Sequence, residues 1–328
     1  MTEALILAGD VGGTKTNLAV FTSELERPPL AQASFVSREH TGLEEMAAKF
    51  LSGVGLKAQR AAFGVAGPVF AGRAQITKLS WGVDARAIKT ALGLEAVTVV
   101  NDLVATAGGI EALDDADLLN LNPAARPEER GPRAVIAPGT GLGEAMMFWE
   151  GDGYRAQATE GGHALFSPAS REQLALAEFL FPTRGAVSFD LLASGRGLPL
   201  LYEFIKETGG FPRSFWLDEA GGDALASAIT QAALGPANPL CLATLKLFVE
   251  ILAVEARNLA LKSLSTGGVF VGGGIPPRMP QIFRDAFRAA FVGSSGPMRE
   301  LLAAMPVWLI LNPYTALLGA ARLARESS

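Results

Sequence analysis

The chain has 328 residues, 49% hydrophobic and 19% charged, which fits a globular protein of two domains with a substantial core. A net charge of −5 and an isoelectric point near 5.3 argue against nucleic acid as the main partner, because gripping a phosphate backbone takes a basic face. One cysteine, Cys241, excludes an internal disulfide framework and any multi-cysteine zinc site, and no basic segment with a long apolar run marks a signal peptide.

Leu5 to Phe21 holds apolar residues on both sides of Gly12-Gly13-Thr14 and predicts a β-hairpin with a tight turn. Gly12 and Gly13 are expected to take backbone angles closed to other residues and to leave their N–H groups uncovered, a concavity suited to phosphate oxygens. Asp10, at the end of the first strand, would repel such a phosphate unless a cation lay between them, so the pairing implies Mg²⁺. Lys15 reads equally as a phosphate contact or a solvated strand lysine. Thr41-Gly42-Leu43-Glu44 has capping-box spacing and opens a helix through Leu51. His40, just before it, reads as a surface residue. Ala61 to Val65 is a buried strand stopped by Gly67-Pro68, and Asp84 caps a short helix that Gly93 closes. The β-branched run Val97 to Val100 is a strand that delivers Asn101 and Asp102 to its C-terminal end, before a helix toward Leu113. Asp102 alone would read as the cap of that helix.

The polar, Pro-rich stretch from Asn122 to Pro132 is a loop, and a domain change is expected near residue 110. Strand Ala134 to Ala137, turn Gly139-Thr140-Gly141-Leu142-Gly143 and strand Ala145 to Phe148 repeat the opening theme, which suggests an ancient duplication with one phosphate clamp per domain. Glu160-Gly161-Gly162-His163 follows, then a helix capped by Ser170 with Gln173 at the reciprocal position. Ser188-Phe189-Asp190 opens a shorter helix closed by Gly195. Asn238-Pro239 starts a long helix toward Ser265. Its most apolar part, Leu240 to Leu261, contains Lys246, Glu250, Glu255 and Arg257, so it reads as a buried or half-buried helix, with Cys241 a small apolar residue, not as a membrane span. Gly267 to Gly274 is a strand running into a glycine turn, a helix is expected near Pro280 to Phe291, and Asn312-Pro313 begins a C-terminal helix that returns to the first domain.

The order of these motifs is more specific than any one of them. Asp-x-Gly-Gly-Thr at 10–14, Asn-Asp at 101–102, Gly-Thr-Gly-Leu-Gly at 139–143, Glu-Gly-Gly-His at 160–163 and Val-Gly-Gly-Gly at 271–274 resemble the bacterial glucokinase family of the sugar kinase/Hsp70/actin superfamily. The resemblance spans nearly the whole chain. It implies an α/β, two-domain ribonuclease H-like fold with a central cleft, residues 1–110 plus 311–328 forming a small domain and 111–310 a large one. It also implies a cytoplasmic, homodimeric enzyme that moves the γ-phosphoryl group of ATP to the 6-hydroxyl of glucose, at the entry to glycolysis. Gly9, Asp10, Val11, Gly12, Gly13 and Thr14 resemble the first phosphate loop, with Asp10 serving Mg²⁺. Gly139, Thr140, Gly141 and Gly143 resemble the second, and Gly272, Gly273 and Gly274 the adenosine loop. Asn101, Asp102, Glu160 and His163 resemble the residues that hold glucose. The physical logic agrees, since phosphoryl transfer needs positioning and charge neutralisation, and a carboxylate such as Asp102 can take the proton of a sugar hydroxyl.

Two positions depart from the family pattern. A glutamate that reaches the sugar is replaced by Asp190, one methylene shorter, and a Thr-Asn pair before a tryptophan reads Thr77-Lys78 here. The alternatives are a kinase for fructose, mannose or an N-acetylhexosamine, and, behind it, a sugar-independent actin- or Hsp70-like ATPase. A ROK-type repressor would need a helix-turn-helix segment and a zinc cluster, and a dinucleotide-dependent oxidoreductase would need Gly-x-Gly-x-x-Gly between strand and helix.

Overall fold

The computed structural model describes residues 4–76, 79–211, 222–235 and 238–326; Thr77 and Lys78 lie outside them. The first seven strands are β1 (Leu5–Val11), β2 (Lys15–Thr22), β3 (Ala31–Val36), β4 (Arg60–Val65), β5 (Val69–Phe70), β6 (Arg73–Gln75) and β7 (Gly82–Asp84). The others are β8 (Ala96–Asn101), β9 (Leu118–Asn120), β10 (Arg133–Pro138), β11 (Leu142–Glu150), β12 (Gly153–Thr159), β13 (Gly268–Val271) and β14 (Val307–Ile310). The helices up to residue 208 are α1 (Leu43–Val54), α2 (Ala85–Leu92), α3 (Asp102–Ile110), α4 (Arg171–Arg184), α5 (Phe189–Leu192) and α6 (Leu198–Thr208). They continue with α7 (Gly222–Leu234), α8 (Pro239–Ser263), α9 (Pro280–Val292), α10 (Arg299–Ala304) and α11 (Thr315–Glu326).

The chain separates into two compact units: Met1–Asp114 with Tyr154–Ala158 and Asn312–Ser328, and Asp115–Gly153 with Thr159–Leu311. The sheet of the first unit has the order β3-β2-β1-β4-β8. Its strand β1 pairs antiparallel with β2 and parallel with β4, which is parallel to β8. Side chains of β1 alternate between faces, as a strand's period of two demands: Leu7 and Val11 enter one core cluster, Ile6 and Ala8 another. The first face is covered by Leu43, Met46 and Phe50 of α1 and Ile88 of α2, the second by Ala105 of α3 and Leu318, Ala321 and Ala324 of α11. The C-terminal helix is thus part of the first unit.

The sheet of the second unit, β12-β11-β10-β13-β14-β9, repeats that plan: the hairpin β10–β11 is antiparallel, and β13 and β14 follow in parallel. The five-strand order shared by both sheets, to which the second adds the antiparallel edge strand β9, is the structural counterpart of the repeated strand-turn-strand motif. Its core is organised around α8, capped by Asn238, whose Oδ1 accepts from the N–H groups of Leu240 and Cys241. Leu245, Phe248, Leu252 and Leu259 of this helix are buried, and so is Cys241, whose thiol burial pushes up to about 11. No single helix among the described residues is long and apolar enough to cross a membrane.

Several local expectations need correction. At α1 no capping box forms: Gly42 is the N-cap, without a side-chain cap, and Glu45 Oε2 accepts from the N–H and hydroxyl of Thr41, both at 3.0 Å. His40 has companions, with Glu45 Oε1 3.2 Å from its Nδ1 and the edge of Phe35 against its ring. At α4, Ser170 caps Gln173 as expected, but Gln173 reaches back to the N–H of Ala169. The helix opened by Ser188 stops at Leu192. The small sheet β5–β6–β7 had no counterpart in the sequence reading, because strands of two or three residues show no readable period.

Candidate active site

In the first unit, the expected site residues Asp10, Asn101 and Asp102 lie at the C-terminal ends of β1 and β8. Register places Asp10 beside Gly64 of β4, and Gly64 beside Val100 of β8, so Asp10 and the Asn101-Asp102 pair sit two strands apart on one edge of the sheet. Strand spacing sets that separation at about 10 Å. Ligands bind at this edge in open α/β sheets. Gly64 lets α3 approach closely, since a Cβ there would fall 2.7 Å from that of Ala105 and 3.4 Å from the Asp102 Cα.

Asp10 takes part in a cross-strand relay: Ser34 Oγ donates to Asn17 Oδ1 at 2.7 Å, and Asn17 Nδ2 donates to Asp10 Oδ2 at 3.2 Å. Burial raises the Asp10 carboxyl above its ordinary range, against the lowering effects of the Asn17 amide and the Lys15 charge. An acid whose ionised form lacks solvation fits a divalent cation, which would supply the missing countercharge. Among the neighbouring residues, Gly9 is packing rather than loop: a Cβ there would strike the Phe63 ring. Val11 belongs to the core.

The Gly12-Gly13-Thr14 turn differs from expectation in two respects. Gly12 is not left-handed, and its N–H is not uncovered but donates to Lys15 O at 3.0 Å. Gly13 and Thr14 leave N–H groups without a backbone partner among the described residues. Ser37, which the sequence reading missed, pins the turn by donating through Oγ to Gly12 O at 2.7 Å, and its N–H donates to Thr14 O at 3.0 Å. No motif surrounds Ser37 in the sequence to announce it.

Asn101, not Asp102, is the N-cap of α3. Its Oδ1 accepts from Leu103 N–H at 2.9 Å, and its Nδ2 donates to Gly67 O at 3.1 Å. Asp102 is the first helical residue, with Oδ1 also accepting from Leu103 N–H at 2.9 Å. An anionic side chain is favoured there by the unsatisfied N–H groups of the helix start.

In the second unit, three glycine segments come together at the ends of β10 and β13. Gly272 N–H donates to Ile136 O at 2.8 Å, and Gly195 N–H donates to Gly139 O at 2.9 Å. Among the glycines of these three segments, Gly273 alone has a positive φ, +84°, and a Cβ there would lie 2.4 Å from Pro138 O. Gly139 and Gly274 face open space. Asp190 is placed against the Gly139–Gly143 turn: Leu142 N–H donates to its Oδ1 at 2.8 Å, and Arg196 Nη2 donates to its Oδ2. Arg196, also missed, donates through Nε to Thr140 O at 3.0 Å. The glycines on both sides of Arg196 were the only signal for it.

Glu160 and His163 flank a 3-10 turn with exposed side chains, Oε2 and Nε2 3.9 Å apart. Gly161 and Gly162 are required there by packing. A Cβ at Gly162 would lie 2.3 Å from Leu142 O, and one at Gly161 would collide with Glu144. The Glu160–His163 turn therefore rests directly on β11, the strand that leaves the Gly139–Gly143 turn.

Glu144 is buried beneath that turn beside a second buried acid, Glu255. Burial first, then the charge of Glu255, pushes its carboxyl up to about 8, against the pull of Lys262. The fold holds the neutral acid, so this contribution to stability is complete below about pH 4.5 and is lost as pH rises through about 8. Glu144→Gln is expected to flatten the decline of the urea midpoint between about pH 5 and 8. Parallel declines in the two proteins would contradict this.

The family model for glucokinase matches residues 7–327 of this chain. A curated glucokinase of Nostoc punctiforme is 34% identical over 98% of both chains. Among solved structures, a glucokinase from an Antarctic psychrotroph superimposes with a TM-score of 0.82 at 29% identity, covering 98% of this chain and 99% of that one. A ROK-family glucokinase from Streptomyces griseus, solved with glucose and AMPPNP, superimposes with a TM-score of 0.70 at 20% identity over 99% and 100% of the two chains. That likeness bears on the fold alone.

Proposed function

The chain belongs to the glucokinase family and is an ATP-dependent sugar phosphotransferase acting on glucose, and we propose that its residues divide the work as follows. Asp102 accepts the proton of the sugar 6-hydroxyl as it attacks the γ-phosphorus, giving glucose 6-phosphate and ADP. Glu160 and His163 hold the other hydroxyls, and Asn101 fixes the start of α3 that carries the base. The turns at Gly12–Thr14 and Gly139–Gly143 take the phosphates, and Gly272–Gly274 the adenosine. Mg²⁺ held at Asp10 would neutralise charge on the transferring phosphates.

The observation that carries this reading is the repeated topology: in each unit the strand-turn-strand hairpin delivers its glycine turn to the same edge of an equivalent sheet. Coupled ADP release over a hexose panel tests it. Glucose is expected to give the highest kcat/KM, and a higher value for fructose, mannose or an N-acetylhexosamine would move the substrate assignment while leaving the kinase intact. ADP release without any sugar would favour the ATPase reading.

Two wider points belong to the same proposal. The enzyme works in the cytoplasm at the entry to glycolysis, which suits its use of ATP and its single, buried, free cysteine. It forms a homodimer, which the exposed apolar side chains of Leu165, Leu174 and Phe181 in the second unit favour. A monomer mass by light scattering at micromolar concentration would refute the dimer.

A further inference from the structure

We propose that Arg196 is a phosphate-binding arginine of the nucleotide site, aimed by Asp190, and that Asp190 serves the nucleotide rather than the sugar. The inference rests on the reading of Gly139–Gly143 as a phosphate loop.

The geometry of Asp190 carries the argument. Its side chain is 10% exposed, and its two oxygens are engaged, Oδ1 by the Leu142 N–H and Oδ2 by the Arg196 guanidinium. Both partners belong to the loop or grip it. Gly141 has no side chain because the carboxylate occupies that space: a Cβ there would lie 2.5 Å from Asp190 Oδ1. A sugar-binding carboxylate needs lone pairs turned to hydroxyls, and a side chain one methylene shorter than glutamate has been drawn into the loop instead.

Arg196 completes the clamp from the other side. Nε donates to Thr140 O and Nη2 to Asp190, so the guanidinium plane is fixed by two bonds while the side chain stays 47% exposed. The remaining N–H groups have no recorded partner among the described residues. They lie beside the carbonyl of Thr140, next to Gly139, whose missing side chain opens on empty space. The 139–143 loop carries no lysine of its own. A planar guanidinium held at its edge suits a phosphate oxygen pair better than an ammonium does. Asp190 is the positioning residue and Arg196 the group that touches the nucleotide.

The test uses the full chain, after turnover of glucose with MgATP has been established for the native protein; absence of that turnover is the failure of the functional reading, not of this one. Arg196→Ala is expected to raise the KM for ATP about tenfold to a hundredfold and to lower kcat, while the glucose dissociation constant stays within about twofold. Asp190→Asn should move the same ATP parameters in the same direction, and Arg196→Lys should recover only part of the loss, since it keeps the charge but not the fork. If Asp190→Asn lowers the melting temperature so far that it cannot be assayed, the two Arg196 variants decide by the same readouts. Unchanged ATP kinetics in Arg196→Ala would overturn the proposal. So would an Asp190→Asn variant that binds glucose weakly but keeps its KM for ATP.

Discussion

Asp102→Asn is expected to lower kcat for glucose phosphorylation by about 10²–10⁴-fold while ATP still binds, the usual contribution of a positioned general base. The substitution is chosen for what it preserves. Asparagine keeps an oxygen to accept from Leu103 N–H, and the cap of α3 is supplied by Asn101, not by this side chain. The helix start therefore survives, and the melting temperature should barely move. What is lost is the ability to take a proton from the sugar hydroxyl. Steady-state kinetics with saturating glucose and MgATP, together with a direct nucleotide-binding measurement, separates the two effects. A kcat within a few-fold of native would remove Asp102 from the role of base and leave it as a helix-start residue.

The second large effect is expected at the crossing of α3 and α11. Gly109 and Gly319 let these helices approach backbone to backbone: a Cβ at Gly319 would lie 1.7 Å from Ala105 O, and one at Gly109 would lie 2.0 Å from Thr315 O. These are rigid helical carbonyls that cannot swing aside as a flexible side chain can. Gly319→Ala must push the helices apart and is expected to cost about 3 kcal/mol of stability, at the upper end of what overpacking a core produces. It should also lower kcat, because α3 begins at Asp102. The matched control is Gly53→Ala on the exposed side of α1, where a Cβ meets nothing within 4 Å. That change should stabilise by up to about 1 kcal/mol through helix propensity. Equal melting temperatures for the two variants would refute the packing account.

What the sequence disclosed depended on how local its signals were. The hairpins at Gly12-Gly13 and Gly139–Gly143, the cap at Asp84 and the stop at Gly93 rest on neighbours within a few residues, and each is found as expected. Asn101 and Asp102 were placed correctly at a strand end but with the capping role on the wrong one of the pair. A side chain that caps and one that starts the helix differ by a single position, and both types suit both places. Gly12 was expected to be special through its backbone angle, yet what matters there is the N–H bond to Lys15 and the room left for it.

The misses are contacts between residues distant in sequence. Arg196 reaches Thr140 across 56 positions and Ser37 reaches Gly12 across 25. Neither pairing leaves a spacing pattern. The buried Glu144 did leave a trace, an acid just ahead of the apolar run Ala145 to Trp149 and directly after the glycine loop, but its neighbour Glu255 lies on α8 and only the fold brings them together. Asp190 shows the same limit from the other side: its place in the motif order pointed to the sugar, while its hydrogen bonds point to the loop at Leu142.

The most direct test of the central claim is to follow carbon-13-labelled glucose with MgATP by nuclear magnetic resonance in the presence of the native protein. Phosphorus coupling should appear on carbon 6 and, through one further bond, on carbon 5, with none on the other carbons and one ADP formed for each sugar phosphorylated. Phosphate on another carbon, or ADP accumulating while glucose stays unmodified, would contradict the assignment of the 6-hydroxyl as acceptor and of Asp102 as the group that takes its proton.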